Sequence, residues 1–141
     1  MIPRFNTKGT LPPGIHESTI EEFEERFAIT NIRKRMFKGL LALIMDLKRI
    51  GCRTIYIDGS YVTNKPIPGD IDVCWDDNGI EYPYALLMLP ILFADLKDQR
   101  RKYDCEIFQA YDKVIGKSMR FIDFFQIDIY SQPKGIIKIN I

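Results

Sequence analysis

The chain is poor in the residues that most often build redox and metal centres. Its 141 residues include one histidine, His16, and three cysteines, Cys52, Cys74 and Cys105, with no CxxC pair among them. An odd, dispersed set of thiols argues against a disulfide framework and against a structural zinc site. Cys74 and Cys105 lie in apolar, strand-like runs and are read as buried free thiols, as expected in a reducing cytoplasm. His16 stands close to a serine at a predicted helix start and is read as a packing or capping residue rather than a catalyst. Charge of one sign is also lacking. Twenty basic against 19 acidic residues leave a formal net charge of +1, so no global field favours a large nucleic-acid footprint. The most apolar stretch, Ala85 to Leu96, contains Pro90 and is shorter than the about 20 residues a membrane span needs. It is read as a core helix, and no membrane partner is expected. The N-terminus has no basic segment followed by an apolar run, so no secretory leader is expected.

What is present is ordinary for a globular domain: 46% hydrophobic and 28% charged residues. The length predicts a single domain over residues 1–141. A chain of this size buries roughly 68–70% of its unfolded surface, enough to hold together without staples. Residues 1–15, rich in proline and glycine, predict an extended N-terminal arm, from which Leu11 and Ile15 can pack on the body. Ser18-Thr19-Ile20-Glu21 has the capping-box pattern and opens a short acidic helix to about Phe27. Asn31 is expected to cap a longer helix whose apolar stripe runs Ile32, Met36, Leu40, Leu43, Ile44, Leu47, and Gly51 is expected to stop it. Thr54–Asp58 and Ile71–Trp75 read as strands. A helix is expected from Pro83 to the cations Arg100, Arg101 and Lys102, with a kink or break at Pro90. A third strand is expected over 105–110, a short helix over 118–126, and a half-exposed edge strand over 136–141 with Lys138 and Asn140 outward. The order α-α-β-β-α-β-α-β predicts an α/β or α+β fold, a small mixed sheet flanked by helices.

The functional content is concentrated between Tyr56 and Trp75. A strand leads into the turn Gly59-Ser60. After nine intervening residues comes Asp70-Ile71-Asp72, running into a second strand. Side chains on a strand repeat every two residues, so Asp70 and Asp72 point to one face. Two carboxylates so close repel each other unless a cation lies between them or one is protonated. The Gly-Ser turn offers backbone N–H groups and a hydroxyl suited to phosphate oxygens. Glycine permits the tight turn and a close phosphate approach. Lys65, between the two motifs, is a candidate to neutralise triphosphate charge. Asp58 is read as bracing the turn. The bland alternative is a solvated strand end after a generic strand-to-helix turn with a capping serine.

Gly59-Ser60 followed by Asp70-Ile71-Asp72, flanked by hydrophobic residues, resembles the signature of the polymerase-beta-type nucleotidyltransferase superfamily. The resemblance covers the central third of the chain. Leu11-Pro12-Pro13-Gly14-Ile15-His16, Asp58 to Thr63, Phe124-Phe125-Gln126 and Pro133-Lys134-Gly135-Ile136 resemble a narrower group of small uncharacterised bacterial proteins with that fold. The resemblance implies a three-to-five-stranded sheet with the active site on one face. It implies transfer of a nucleoside monophosphate from an NTP to a hydroxyl, with Asp70 and Asp72 holding Mg²⁺ and a third carboxylate from a following strand completing a two-metal site. Glu106 is the best match for that role. Asp104 shares its strand face, and Asp123 lies in a helical apolar run. Small relatives commonly act on a partner protein and some serve as antitoxins, so a protein or a tRNA end is the expected acceptor. The competing reading is a catalytically inactive module of the same fold that binds a nucleotide or partner protein. The position of Glu106 relative to Asp70 and Asp72 separates the two.

Overall fold

The computed structural model describes residues 1–141. Five strands form one mixed sheet in the order β1-β5-β2-β3-β4. They are β1 (Gly14–Ser18), β2 (Thr54–Asp58), β3 (Ile71–Trp75), β4 (Cys105–Gln109) and β5 (Gly135–Asn140). β1 runs parallel to β5, β5 and β3 flank β2 antiparallel, and β4 runs parallel to β3. The α+β fold, a mixed sheet with helices, is as the sequence predicts. No helix is long and apolar enough to cross a membrane.

Alternation along the strands sorts the two sheet faces. Ile55 and Ile57, Val73 and Trp75, Ile107, and Ile137 and Ile139 turn to one face and join the main core. Helix α1 (Ile20–Phe27) supplies Phe23 and Phe27 to that core, and α2 (Asn31–Arg49) supplies Leu40, Leu43 and Leu47 from its apolar stripe. Tyr56, Cys74 and Ile136 turn to the opposite face, where they meet Ala110 and Ile122 in a smaller cluster. All three cysteines are free and buried. Burial pushes the thiols of Cys74 and Cys105 well up and that of Cys52 up to about 11, which keeps them inert.

Several expected boundaries shift. The N-terminal arm ends in β1, whose Ile15 pairs Ile136, so the extended arm leads into the sheet. Its Leu11 is fully buried. That makes β5 an interior strand rather than an edge. Its outward Lys138 is neutralised by Glu17 on β1, at 3.5 Å. Both caps lie one residue from their expected place. Ser18 ends β1, and Thr19 caps α1 by accepting from the Glu22 N–H at 3.1 Å. Thr30, not Asn31, caps α2 by accepting from the Arg33 N–H at 3.2 Å. α2 ends at Arg49, and Gly51 follows with φ 98°.

The helix expected from Pro83 breaks at Pro90, as a ring without an N–H must break it. It becomes α3 (Tyr82–Met88), a single 3₁₀ turn over Pro90–Phe93, and α4 (Leu96–Tyr103). The first piece is not a core helix. Ala85 is buried, but Tyr82, Tyr84, Leu86, Leu87 and Met88 are exposed. α5 is only Phe121–Phe124.

Candidate functional site

Register places carboxyl groups in a row across three neighbouring strands. Asp58, the last residue of β2, lies opposite Asp72 in the antiparallel pair. Asp72 in turn lies opposite Glu106 in the parallel pair. All three have the parity of Tyr56, Cys74 and Phe108, so they stand on the face away from α1 and α2. Asp70 precedes β3 by one residue and shares that face. Carboxylate oxygens of Asp70, Asp72 and Glu106 lie within 4.8 Å of one another. The structure therefore brings together the three residues singled out in the sequence. Asp104 and Asp123 lie elsewhere. Asp104 takes a left-handed conformation at the end of α4 and faces Arg35 at 3.9 Å, and Asp123 pairs with Arg120 at 2.9 Å.

Like charges opposite one another on adjacent strands are destabilising. The protein's answer is visible in the protonation equilibria. Burial, reinforced by Glu106, raises the Asp70 carboxyl to about 6. Burial, reinforced by Asp70 and Glu106, raises Asp72 to about 7. Asp58 is fully buried, and burial followed by the Asp72 charge pushes it well above the carboxylate range. Its Oδ2 faces the Cys74 thiol at 3.7 Å, while its Oδ1 is buried without a hydrogen-bond partner. At the far end of the row Arg100, on α4, donates to Glu106 Oε2 at 2.5 Å. The cationic end of α4 thus contributes one charge to the site.

Gly59 and Ser60 follow Asp58 directly. Gly59 has φ 78° and ψ −162°, a conformation open to glycine. A β-carbon there would overlap Asp72 Oδ2. The missing side chain is thus what lets the Asp72 carboxylate sit against the turn. Ser60 opens a 3₁₀ turn over Ser60–Val62, and its carbonyl accepts from both the amide and the hydroxyl of Thr63. The connection beyond is tied to α2 by Arg33. This buried guanidinium donates to the carbonyls of Phe27, Tyr61, Thr63 and Lys65 at 2.7–3.2 Å. Tyr61, a fully buried ring, returns a hydroxyl bond to the Arg33 carbonyl at 2.7 Å.

A cleft of about 490 Å³ opens beside this turn, bordered by Gly59, Ser60 and Asp72 on one side and by the segment between β4 and β5 on the other. The lysines lining it are Lys117 and Lys134. Lys65 is exposed on the loop outside the cleft, where its charge favours the ionised form of Asp70. Lys117 carries no sequence signal of its own, and Lys134 stands in the Pro133-Lys134-Gly135-Ile136 stretch without periodicity to mark its role. His16 Nε2 donates to the Pro12 carbonyl, 2.7 Å away, and ties the N-terminal arm to β1.

The donor set suits a hard cation. Three carboxylates offer oxygen ligands, and Mg²⁺ bonds oxygen at about 2.0–2.1 Å, so two oxygens on one ion are at most about 4.2 Å apart. A trio within 4.8 Å of one another lies near that range.

Fold and site define a small α+β protein with an acidic centre on the sheet face away from α1 and α2. The chain belongs to a family of unknown function (DUF6932), matched over residues 3–140. No curated protein and no solved structure matches it.

Proposed function

We propose that the protein is a metal-dependent nucleotidyltransferase that moves a nucleoside monophosphate from an NTP to a hydroxyl of a protein or RNA. The observation that carries this reading is the convergence of Asp70, Asp72 and Glu106 beside a glycine whose absent side chain accommodates Asp72. Asp70, Asp72 and Glu106 would hold Mg²⁺, which when bound supplies Lewis acidity at the α-phosphate and charge neutralisation for the leaving pyrophosphate. Gly59 and Ser60 present backbone N–H groups and a hydroxyl to phosphate oxygens. Glu106 takes the proton of the acceptor hydroxyl as its oxygen bonds to the α-phosphorus and the bond to pyrophosphate breaks. Asp70 and Asp72 orient the nucleotide for that in-line displacement.

One observation favours a second reading, a binding module without turnover. Glu106 is already engaged by Arg100, so the third carboxylate is not free in the resting protein. Incubation with each radiolabelled NTP, Mg²⁺ and a cell lysate separates the two. Label on protein or RNA, lost in Asp72→Asn, is expected of the enzyme. NTP binding with no label transferred to any acceptor would favour the module, and absence of any NTP binding would sink the enzyme and leave only a module that binds a partner protein.

A further inference from the structure

The segment joining β4 to β5 does not return over the helical face. Its Ala110 and Ile122 pack on Tyr56, Cys74 and Ile136, on the face that carries the carboxylates. Phe121 and Phe125 stack around Phe108 and fix the segment there. This places the chain from 117 to 134 opposite the Gly59-Ser60 turn and creates the cleft. The carboxylate row consequently has two unlike ends. Asp72 borders the cleft, together with Gly59 and Ser60, whereas Asp70 and Glu106 do not. Glu106 instead faces Arg100 at the outer edge of the sheet.

The chemistry of the cleft is equally divided. Lys134 lies close enough for its charge to act on both Asp58 and Asp72. Phe124 forms part of an apolar wall, with the Lys117 ammonium 5.7 Å from its ring centre. A cation beside a serine and a metal-binding carboxylate suits phosphate oxygens. An aromatic face with a neighbouring cation suits a nucleobase.

Resting on the nucleotidyltransferase reading, we propose that this cleft is the nucleotide half of the site: Lys134 and Ser60 take the triphosphate, and Phe124 takes the base. The acceptor then approaches from the opposite end of the row, at Glu106 and Arg100. Volume agrees, since sites for small ligands run from about 300 to 1,000 Å³ and the cleft holds about 490 Å³. The layout favours Lys134 over Lys65 as the triphosphate cation, because Lys65 does not line the cleft.

The test titrates the full chain with two probes, Mg²⁺·ATP and Mg²⁺·tripolyphosphate, by calorimetry. Lys134→Gln is expected to weaken both by about ten-fold or more, since a charge-assisted phosphate contact is lost. Phe124→Leu is expected to weaken ATP by at least about five-fold and to leave tripolyphosphate unchanged. Phe124→Tyr, which keeps the ring, should restore ATP affinity and so separates a stacking role from a folding defect. If both Lys134→Gln and Phe124→Leu bind ATP like the wild type while Asp72→Asn does not, the cleft assignment is overturned and the metal-site reading stands. If the wild type binds neither probe, both fall together.

Discussion

Gly59 and Asp72 compete for one space: a β-carbon at position 59 would overlap Asp72 Oδ2. The two residues belong to different motifs, yet the antiparallel pairing of β2 with β3 brings Asp58 opposite Asp72 and sets the turn against the carboxylate. Gly59→Ala therefore meets two obstacles, the φ of 78° and the displaced Asp72. Backbone strain of this kind costs about 1–3 kcal/mol. We expect a lower melting temperature and a larger proportional loss of Mn²⁺ or Mg²⁺ binding, measured by calorimetric titration. Metal binding equal to wild type would separate Gly59 from the site.

The carboxylate cluster predicts a pH dependence of stability. Asp70 and Asp72 are raised to about 6 and about 7 in the folded protein, against about 3.9 in an unfolded chain. Between about pH 4 and pH 7 the folded state thus holds protons that the unfolded state has released. Stability of the metal-free protein should fall as pH rises through that window, the opposite of the usual trend for a salt-bridged carboxylate. Thermal melts in EDTA from pH 4.5 to 8 would show this. Asp70→Asn and Asp72→Asn should melt at or above the wild-type temperature at pH 8, with a flatter pH profile. A large drop for both would mark the pair as structural. Added Mg²⁺ should raise the wild-type melting temperature more at pH 8 than at pH 5, because the ion binds the deprotonated site.

Much of the site was legible because local rules determine it. Period-two alternation puts Asp70 and Asp72 on one face, and Glu106 was the best match to the third carboxylate that the resemblance implies. Tertiary pairing decided the rest. Gly14–Ser18 carries a glycine, a histidine and a glutamate and has no strong strand signal, but it becomes a strand because β5 offers it an edge. The same pairing makes β5 an interior strand, although Lys138 gives it an edge-like pattern; Glu17, far away in sequence, neutralises that lysine. The apolar residues of α3 suggested burial, and most are exposed because the break at Pro90 stops the helix from lying along the core. Lys117 and Lys134 reach the cleft only through the path of a loop.

Arg33 ought to be the most sensitive position outside the carboxylates. Its guanidinium is buried and donates to four backbone carbonyls on two segments. Removing a donor that leaves buried acceptors unmatched costs about 1–3 kcal/mol per group. Arg33→Met should therefore destabilise by about 3 kcal/mol or more, read from urea unfolding, and loosen the loop from Tyr61 to Lys65. Lysine should not rescue it, because a point charge cannot span four acceptors arranged for a planar fork. A variant within 1 kcal/mol of wild type, about the cost of an ordinary surface contact, would contradict this account.

Arg100 and Glu106 set the level at which the third carboxylate becomes available. In the metal-free protein Arg100 compensates Glu106, and an incoming cation must share or displace it. Arg100→Gln leaves an uncompensated charge among three carboxylates. It should lower apo stability and enlarge the Mg²⁺-induced rise in melting temperature. An unchanged rise would mean that Glu106 takes no part in holding the ion.

The role of Glu106 itself is the point on which enzyme and binding module part. Asp72 lies opposite Glu106 across the parallel pair, yet only Asp72 borders the cleft. On the nucleotidyltransferase reading Glu106→Gln should thus leave most nucleotide affinity in place, because Asp70 and Asp72 would still hold the nucleotide metal. The lost interaction belongs to deprotonation of the acceptor, which matters in the transition state and hardly in the ground state. Removing a positioned base costs about 10²–10⁴-fold in rate. Single-turnover labelling of the acceptor should fall by that factor while the NTP dissociation constant changes by less than about ten-fold, the equivalent of 1.4 kcal/mol. Equal labelling by wild type and Glu106→Gln would remove the residue from the chemistry and assign acceptor deprotonation to another group of an active transferase.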